Sequence, residues 1–195
     1  WLGFLFNLAV GFVVIVVSLA LVSVAFGIYK KRVGDLAFRD ALTGLLNRSG
    51  FEAEFDARAS SRRAPPGPFS LIMVDLDAFG AFNDRFGRAA GDAALGKIGR
   101  IVADVASGAG VTARLDGDDF AIIREGSSDA AVRFADSLVK IIGAETFGDS
   151  VLAQLTASVG VTPLAPGEER GSAIDRVDRA LRKAKAAGGD RVCLA

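Results

Sequence analysis

From Trp1 to Tyr29 the chain carries no charged side chain, and from Phe12 onward that stretch is almost wholly aliphatic or aromatic. About 20 apolar residues cross a bilayer as a helix, so the segment is long enough to span with some tilt. A signal peptide would be shorter, would follow basic residues and would end at small residues. Here nothing basic precedes the run, and it ends in Tyr29-Lys30-Lys31-Arg32. The basic cluster predicts that the C-terminal side lies in the cytoplasm. The expectation is one transmembrane helix over 1–29, a charged connector over 30–39 and one folded domain over 40–195. The absence of an initiating Met suggests the C-terminal part of a longer protein. Ser23 and Gly27 give the helix a small-residue face suited to packing against a copy of itself.

Composition removes several chemistries. Lys and Arg number 23 and so do Asp and Glu, which leaves no surplus of cations to neutralise the phosphates of a nucleic acid. A single cysteine, Cys193, excludes an internal disulfide framework. With no histidine, Ser-His-Asp and Cys-His activation are unavailable, so any reaction must run on carboxylates, Lys, Arg and the backbone.

After the connector, Asp40–Arg48 reads as a turn entering a helix, with Asn47 or Ser49 as its N-cap. The helix dissolves in the Ser-, Pro- and Gly-rich stretch at 60–68. Phe69–Asp77 is a short apolar run that ends in acids, the pattern of a buried strand delivering carboxylates at its C-terminal end. Helical periodicity follows at Gly80–Phe86 and Gly91–Ala106. Two apolar runs then flank Asp116-Gly117, which predicts a hairpin with those two residues in its turn. A helix over Ser128–Ala144, a strand within 152–164, a helix over Ser172–Ala187 and a strand at Arg191–Leu194 complete the pattern. Strands alternating with helices, plus one hairpin, predict an α/β domain with a mixed central sheet flanked by helices.

Asp75 and Asp77 are spaced to share a strand face. Acids at a strand end are often only solvated, but Asp116, Asp118 and Asp119 crowd the hairpin, and a hairpin beside the first strand would bring both sets together. Converging carboxylates repel unless a cation neutralises them. Hard oxygen ligands suit Mg²⁺, which in pairs clamps phosphoryl transfer. Gly117 lets backbone N–H groups approach a phosphate.

Five blocks now stand in order: DALTGLLNR (Asp40–Arg48), DLDAFGAFNDRFGRAAGD (Asp75–Asp92), RLDGDDF (Arg114–Phe120), LTASVGV (Leu155–Val161) and AKAAG (Ala184–Gly188). Together they resemble the GGDEF family of bacterial diguanylate cyclases over about residues 36–195. The resemblance implies the GGDEF, or nucleotidyl-cyclase-like palm, fold. It also implies a reaction in which two GTP molecules, one on each of two facing domains, condense to cyclic di-GMP with release of pyrophosphate. A homodimer would therefore be needed, and the resemblance together with the apolar run implies the bacterial inner (cytoplasmic) membrane. By position, Asp118 and Asp119 would be catalytic. Asp75, Asp118 and the Leu76 carbonyl would hold Mg²⁺; Asn83 and Asp92 would read guanine; Gly117 and Lys185 would approach phosphate.

The same resemblance shows departures. The signature's first Gly is Asp116, a carboxylate where phosphate should approach. One like-charge contact at ~4 Å costs about 4 kcal/mol at an effective dielectric near 20. The family's Lys is Gly80, its His is Arg88 and its late Arg is Gly189. The inhibitory Arg-x-x-Asp site would fall on Ser107 and Gly110 and is missing. These changes imply a weak or degenerate cyclase. The alternative is an inactive GTP-binding or interaction subunit of a membrane assembly, with lipid and other membrane proteins as partners.

Overall fold

A computed structural model describes residues 1, 3, 11, 16–24, 37–59, 68–108, 110–147 and 154–195. These fall into two compact units, Trp1–Ala37 and Phe38–Ala195. In the first, residues 16–24 are helical and expose Val16, Val17, Leu19, Leu21, Val22 and Val24. The expected transmembrane span lies largely outside the described residues. Among the described residues no helix is long and apolar enough to cross a membrane.

The second unit runs α1 (Arg48–Ala59), β1 (Phe69–Leu76), α2 (Phe79–Phe86), α3 (Arg88–Ala106), β2 (Gly110–Asp116), β3 (Asp119–Glu125), α4 (Ser128–Ala144), β4 (Ala157–Leu164), α5 (Arg170–Ala186) and β5 (Arg191–Leu194). The strands form one sheet in the order β2-β3-β1-β4-β5. All neighbours are antiparallel except β4 and β5, which the α5 crossover makes parallel. The sheet is mixed and flanked by helices, as the alternating pattern predicts.

β1 is central, and both its faces are covered. Ile72, Val74 and Leu76 enter a core with Leu95, Ile98 and Val102 of α3 and Leu138 and Ile142 of α4. Leu71 and Met73 enter the other, with Phe51 and Phe55 of α1 and Val177 and Leu181 of α5. Burial on both sides is why this strand reads as a continuous apolar run rather than an alternating one. Helices α3 and α4 bury residues three and four apart, one stripe each. Helix α5 packs its backbone directly on β4, where a Cβ at Gly160 would stand 2.4 Å from the Val177 carbonyl oxygen.

Capping settles the first helix. The Asn47 side-chain oxygen accepts from the Gly50 N–H at 3.0 Å, so Asn47 rather than Ser49 is the N-cap of α1. At α4, the Ser127 hydroxyl oxygen accepts from the Ala130 N–H.

Two details differ from expectation. The hairpin turn holds Gly117 and Asp118, not Asp116 and Gly117. Asp116 ends β2, paired with Asp119 after a register shift between Arg114 and Asp116. Gly117 takes φ +46°, which places the left-handed residue first in the turn. In addition, β1 stops at Leu76, so Asp77 lies beyond the ladder that Asp75 joins. The chain leaves through Ala78 at φ 54° and enters α2.

Candidate active site

The β1–β3 and β1–β4 ladders bring one row of residues across the whole sheet at its hairpin end. Asp116 pairs with Asp119, Asp119 with Asp75, Asp75 with Ser158, and Ser158 with Arg191. Cross-strand partners share a face, so the Asp75 and Asp119 carboxylates stand side by side on the α1/α5 side, an arrangement that repels. Asp118 in the turn adds a third charge.

Burial and this repulsion together appear in the proton affinities of Asp118 and Asp119. Burial, then the charge and hydrogen bonding of Asp75, then the charge of Asp118 push the Asp119 carboxyl up to about 6. Burial and the Asp75 charge also raise Asp118, although its own backbone N–H, Lys185 and Arg114 oppose the rise. Lys185, from the last turn of α5, places its ammonium on the Asp75 carboxylate. One ammonium does not balance this group. Among the described residues no set of three or more acidic, Cys or His side chains is gathered as a metal cage. The donors on offer are carboxylates and backbone carbonyls with charge to spare, and that chemistry suits a hard divalent cation.

The hairpin is clamped from the N-terminal loop. The Arg114 Nε donates to the Gly117 carbonyl at 2.8 Å, and its Nη1 donates to Asp40 at 3.1 Å. Burial pushes the Asp40 carboxyl up, but the Thr43 hydroxyl and amide together with Arg114 outweigh it and hold it below its ordinary value. Backbone bonds Leu46 N to Thr112 O and Arg114 N to Leu46 O fix the loop against β2.

Asp77 plays a structural part. Its carboxylate accepts from the Thr156 hydroxyl at 2.7 Å, the Ser158 hydroxyl at 2.6 Å and the Asp190 N–H at 2.9 Å. It thereby ties the end of β1 to β4 and to the turn that precedes β5.

A second group lies where α2 meets α3. The Asn83 Oδ1 is buried and accepts no hydrogen bond. It presses against Gly91, where a Cβ would stand 1.8 Å away. Asp92 is the next residue and is exposed. Gly91 therefore makes room for Asn83 to lie beside the Asp92 backbone. A buried, unpaired amide oxygen is costly unless a ligand or water completes it.

The remaining positions singled out in the sequence are spread around these groups. Leu76 is the buried last residue of β1. Gly80 faces open space in the first turn of α2, Arg88 is exposed at the start of α3, and Asp116 is exposed beside the turn. Gly189 has φ +72°, and a Cβ there would stand 2.9 Å from the Asp77 carboxylate. The sequence reading assigned no role to Gly91 or Arg114, although the Gly-x-x-Gly-Asp spacing held a signal for the first.

The domain is therefore of the α/β class, a mixed five-stranded sheet with acids gathered at its hairpin end. The family described as "Diguanylate cyclase, GGDEF domain" matches residues 37–191. The chain belongs to the GGDEF family. It is 33% identical over 161 residues to the diguanylate cyclase DgcP of Pseudomonas aeruginosa, covering 80% of this chain and 24% of that protein. An uncharacterized protein of Mycobacterium tuberculosis is 36% identical over 167 residues, covering 84% of this chain and 26% of its own length. The chain thus spans about a quarter of these relatives. Among solved structures, the coiled coil and GGDEF domain of DgcB from Caulobacter crescentus, in complex with c-di-GMP, superposes with a TM-score of 0.83 at 26% identity. That match covers 91% of this chain and 95% of the other.

Proposed function

We propose that this chain is a membrane-anchored GGDEF protein of cyclic di-GMP signalling whose cyclase activity is slowed by Asp116. The observation that carries the proposal is the carboxylate group Asp75, Asp118 and Asp119, where burial and then the neighbouring charges raise the Asp119 pKa to about 6, only partly relieved by Lys185. Such a group is poised to gain from a cation, and perturbed carboxylates in a family site favour a working centre.

In this reading Asp75, Asp118 and the Leu76 carbonyl hold Mg²⁺, which when bound neutralises phosphate charge and favours pyrophosphate departure. Asn83 and Asp92 read guanine, the unpaired Asn83 Oδ1 gaining the donor it lacks. Lys185 orients Asp75 and stands beside the phosphates. Gly117 lets the turn backbone approach them. Two GTP-loaded copies face each other. Each 3′-hydroxyl attacks the α-phosphate of the other nucleotide, two phosphodiester bonds form, and two pyrophosphates leave. That DgcP is named a diguanylate cyclase and that DgcB was solved with c-di-GMP support the choice of product.

The anchor rests on the uncharged run Trp1–Tyr29 and on the exposed apolar side chains of the helical residues 16–24. The basic cluster Lys30-Lys31-Arg32 supports a domain on the cytoplasmic side. A second reading, an inactive GTP-binding or interaction subunit, is favoured by Asp116 and by the missing side chains at Gly80 and Gly189.

Calorimetric titration of GTP with Mg²⁺ into the whole protein in detergent separates site from scaffold. Saturable binding should be lost in Asp118→Asn and strengthened about tenfold in Asp116→Gly once screening reduces the unscreened repulsion. A folded protein that binds no GTP contradicts the proposal.

A further inference from the structure

The phosphate end of the site is short of cations. Lys185, the ammonium among its acids, is engaged by Asp75. Gly189 cannot supply another, because any Cβ there meets the Asp77 carboxylate at 2.9 Å in a left-handed backbone. Asp77 is itself held by Thr156, Ser158 and the Asp190 N–H, so moving that carboxylate aside would break these three hydrogen bonds.

Arg191 stands two residues beyond. In the row across the sheet it is the partner of Ser158, which is the partner of Asp75. Two strand spacings put its Cα about 10 Å from that of Asp75. Its side chain does not run down the sheet. It folds back over the Gly188-Gly189 turn, where its Nε donates to the Gly189 carbonyl at 2.9 Å and its Nη2 lies 3.9 Å from where a Gly188 Cβ would be. Both glycines have positive φ, and the lack of side chains is what opens this path. Other arginines of the domain, Arg114, Arg170 and Arg176, are paired with acids. Among the described residues Arg191 has no carboxylate partner, and its two terminal nitrogens make no protein hydrogen bond. A guanidinium anchored by Nε with its outer edge free is suited to a phosphate fork.

We propose that Arg191 is a phosphate-binding residue that takes the terminal phosphates of the nucleoside triphosphate, doing from the start of β5 what no side chain at Gly189 can do. The proposal rests on the GTP site described above. It makes Arg191 a determinant of triphosphate over monophosphate binding, with no part in reading the base.

The test is titration of the whole protein in detergent, with Mg²⁺, against GTP and GMP separately. Arg191→Ala should weaken GTP about tenfold or more and leave GMP unchanged. Arg191→Lys should recover part of the loss, and the melting temperature of both variants should stay near that of the parent. If the parent binds GTP and Arg191→Ala binds it equally well, the Arg191 assignment is overturned while the site stands. Equal losses for GTP and GMP would make the role structural and overturn it too. A parent that binds neither nucleotide removes the site and this assignment with it.

Discussion

Asp75 and Asp119 are direct partners across the antiparallel β1–β3 ladder, and the second of them keeps its proton up to about pH 6. The ordinary value is 3.8, so the folded state binds more protons than the unfolded state between those limits. Burial of Asp119 and the Asp75 charge beside it therefore lower stability as pH rises from about 4 to about 6, with no further change above. Asp119→Asn should raise the melting temperature at pH 7.5 and have little effect near pH 4.5. Asp119 is half-exposed, so solvent cuts the effect to about 1 kcal/mol, or roughly 2–4 °C. Calorimetry at the two pH values checks the sign, and an equal gain at both would rule out charge repulsion as its cause.

If Asp75 and Asp118 hold Mg²⁺ as proposed, the ion competes with the proton on their neighbour Asp119. Added in the absence of nucleotide, it should raise the melting temperature more at pH 7.5 than at pH 5, by up to about 2.7 kcal/mol of stability at a hundredfold excess over Kd. Asp118→Asn should remove most of the gain. A Mg²⁺ response independent of pH would place the ion elsewhere.

The Asp77 carboxylate gathers three donors from β4 and the β5 turn. Asp77→Ala leaves two hydroxyls and an N–H without their acceptor and should cost about 2–4 kcal/mol. Asp77→Asn, which keeps an acceptor oxygen, should cost less. Denaturant unfolding measures both, and hydrogen exchange should show the loss concentrated at Asp190 and the start of β5.

Gly91→Ala drives a methyl into the Asn83 amide. Alanine is the better helix former, so helix α3 should persist with a melting temperature within a few degrees of the parent. Guanine nucleotide binding should fall at least about tenfold, because Asn83 is displaced. Retained affinity would mean that Asn83 does not read the base.

Much of this architecture is legible in the residues. Helix α4 and strand β5 fall where the 3.6-residue period and the short apolar run put them, and β1 is visible because a strand covered on both faces is apolar throughout. The hairpin is legible, but its turn lies one residue further on. Asp-Gly signals a two-residue turn, yet here the shift after Arg114 lets Asp116 pair with Asp119, so Gly117 leads the turn. What pattern cannot show is contact between distant positions. Thr156 and Ser158 lie 79 and 81 residues from Asp77, and Arg114 lies 74 from Asp40. Nor does spacing show that Lys185 rests on Asp75, or that Gly189 has no room for a side chain.

In the function proposed above, Asp75, Asp118 and Asp119 still assemble a cyclase centre despite Asp116. The direct test is turnover by the whole protein in detergent with GTP and Mg²⁺, the products separated by chromatography beside an active cyclase. Cyclic di-GMP should form slowly with two pyrophosphates per product, a reaction abolished in Asp118→Asn and accelerated in Asp116→Gly. No cyclic di-GMP from a folded, dimeric sample, with none gained in Asp116→Gly, would contradict it.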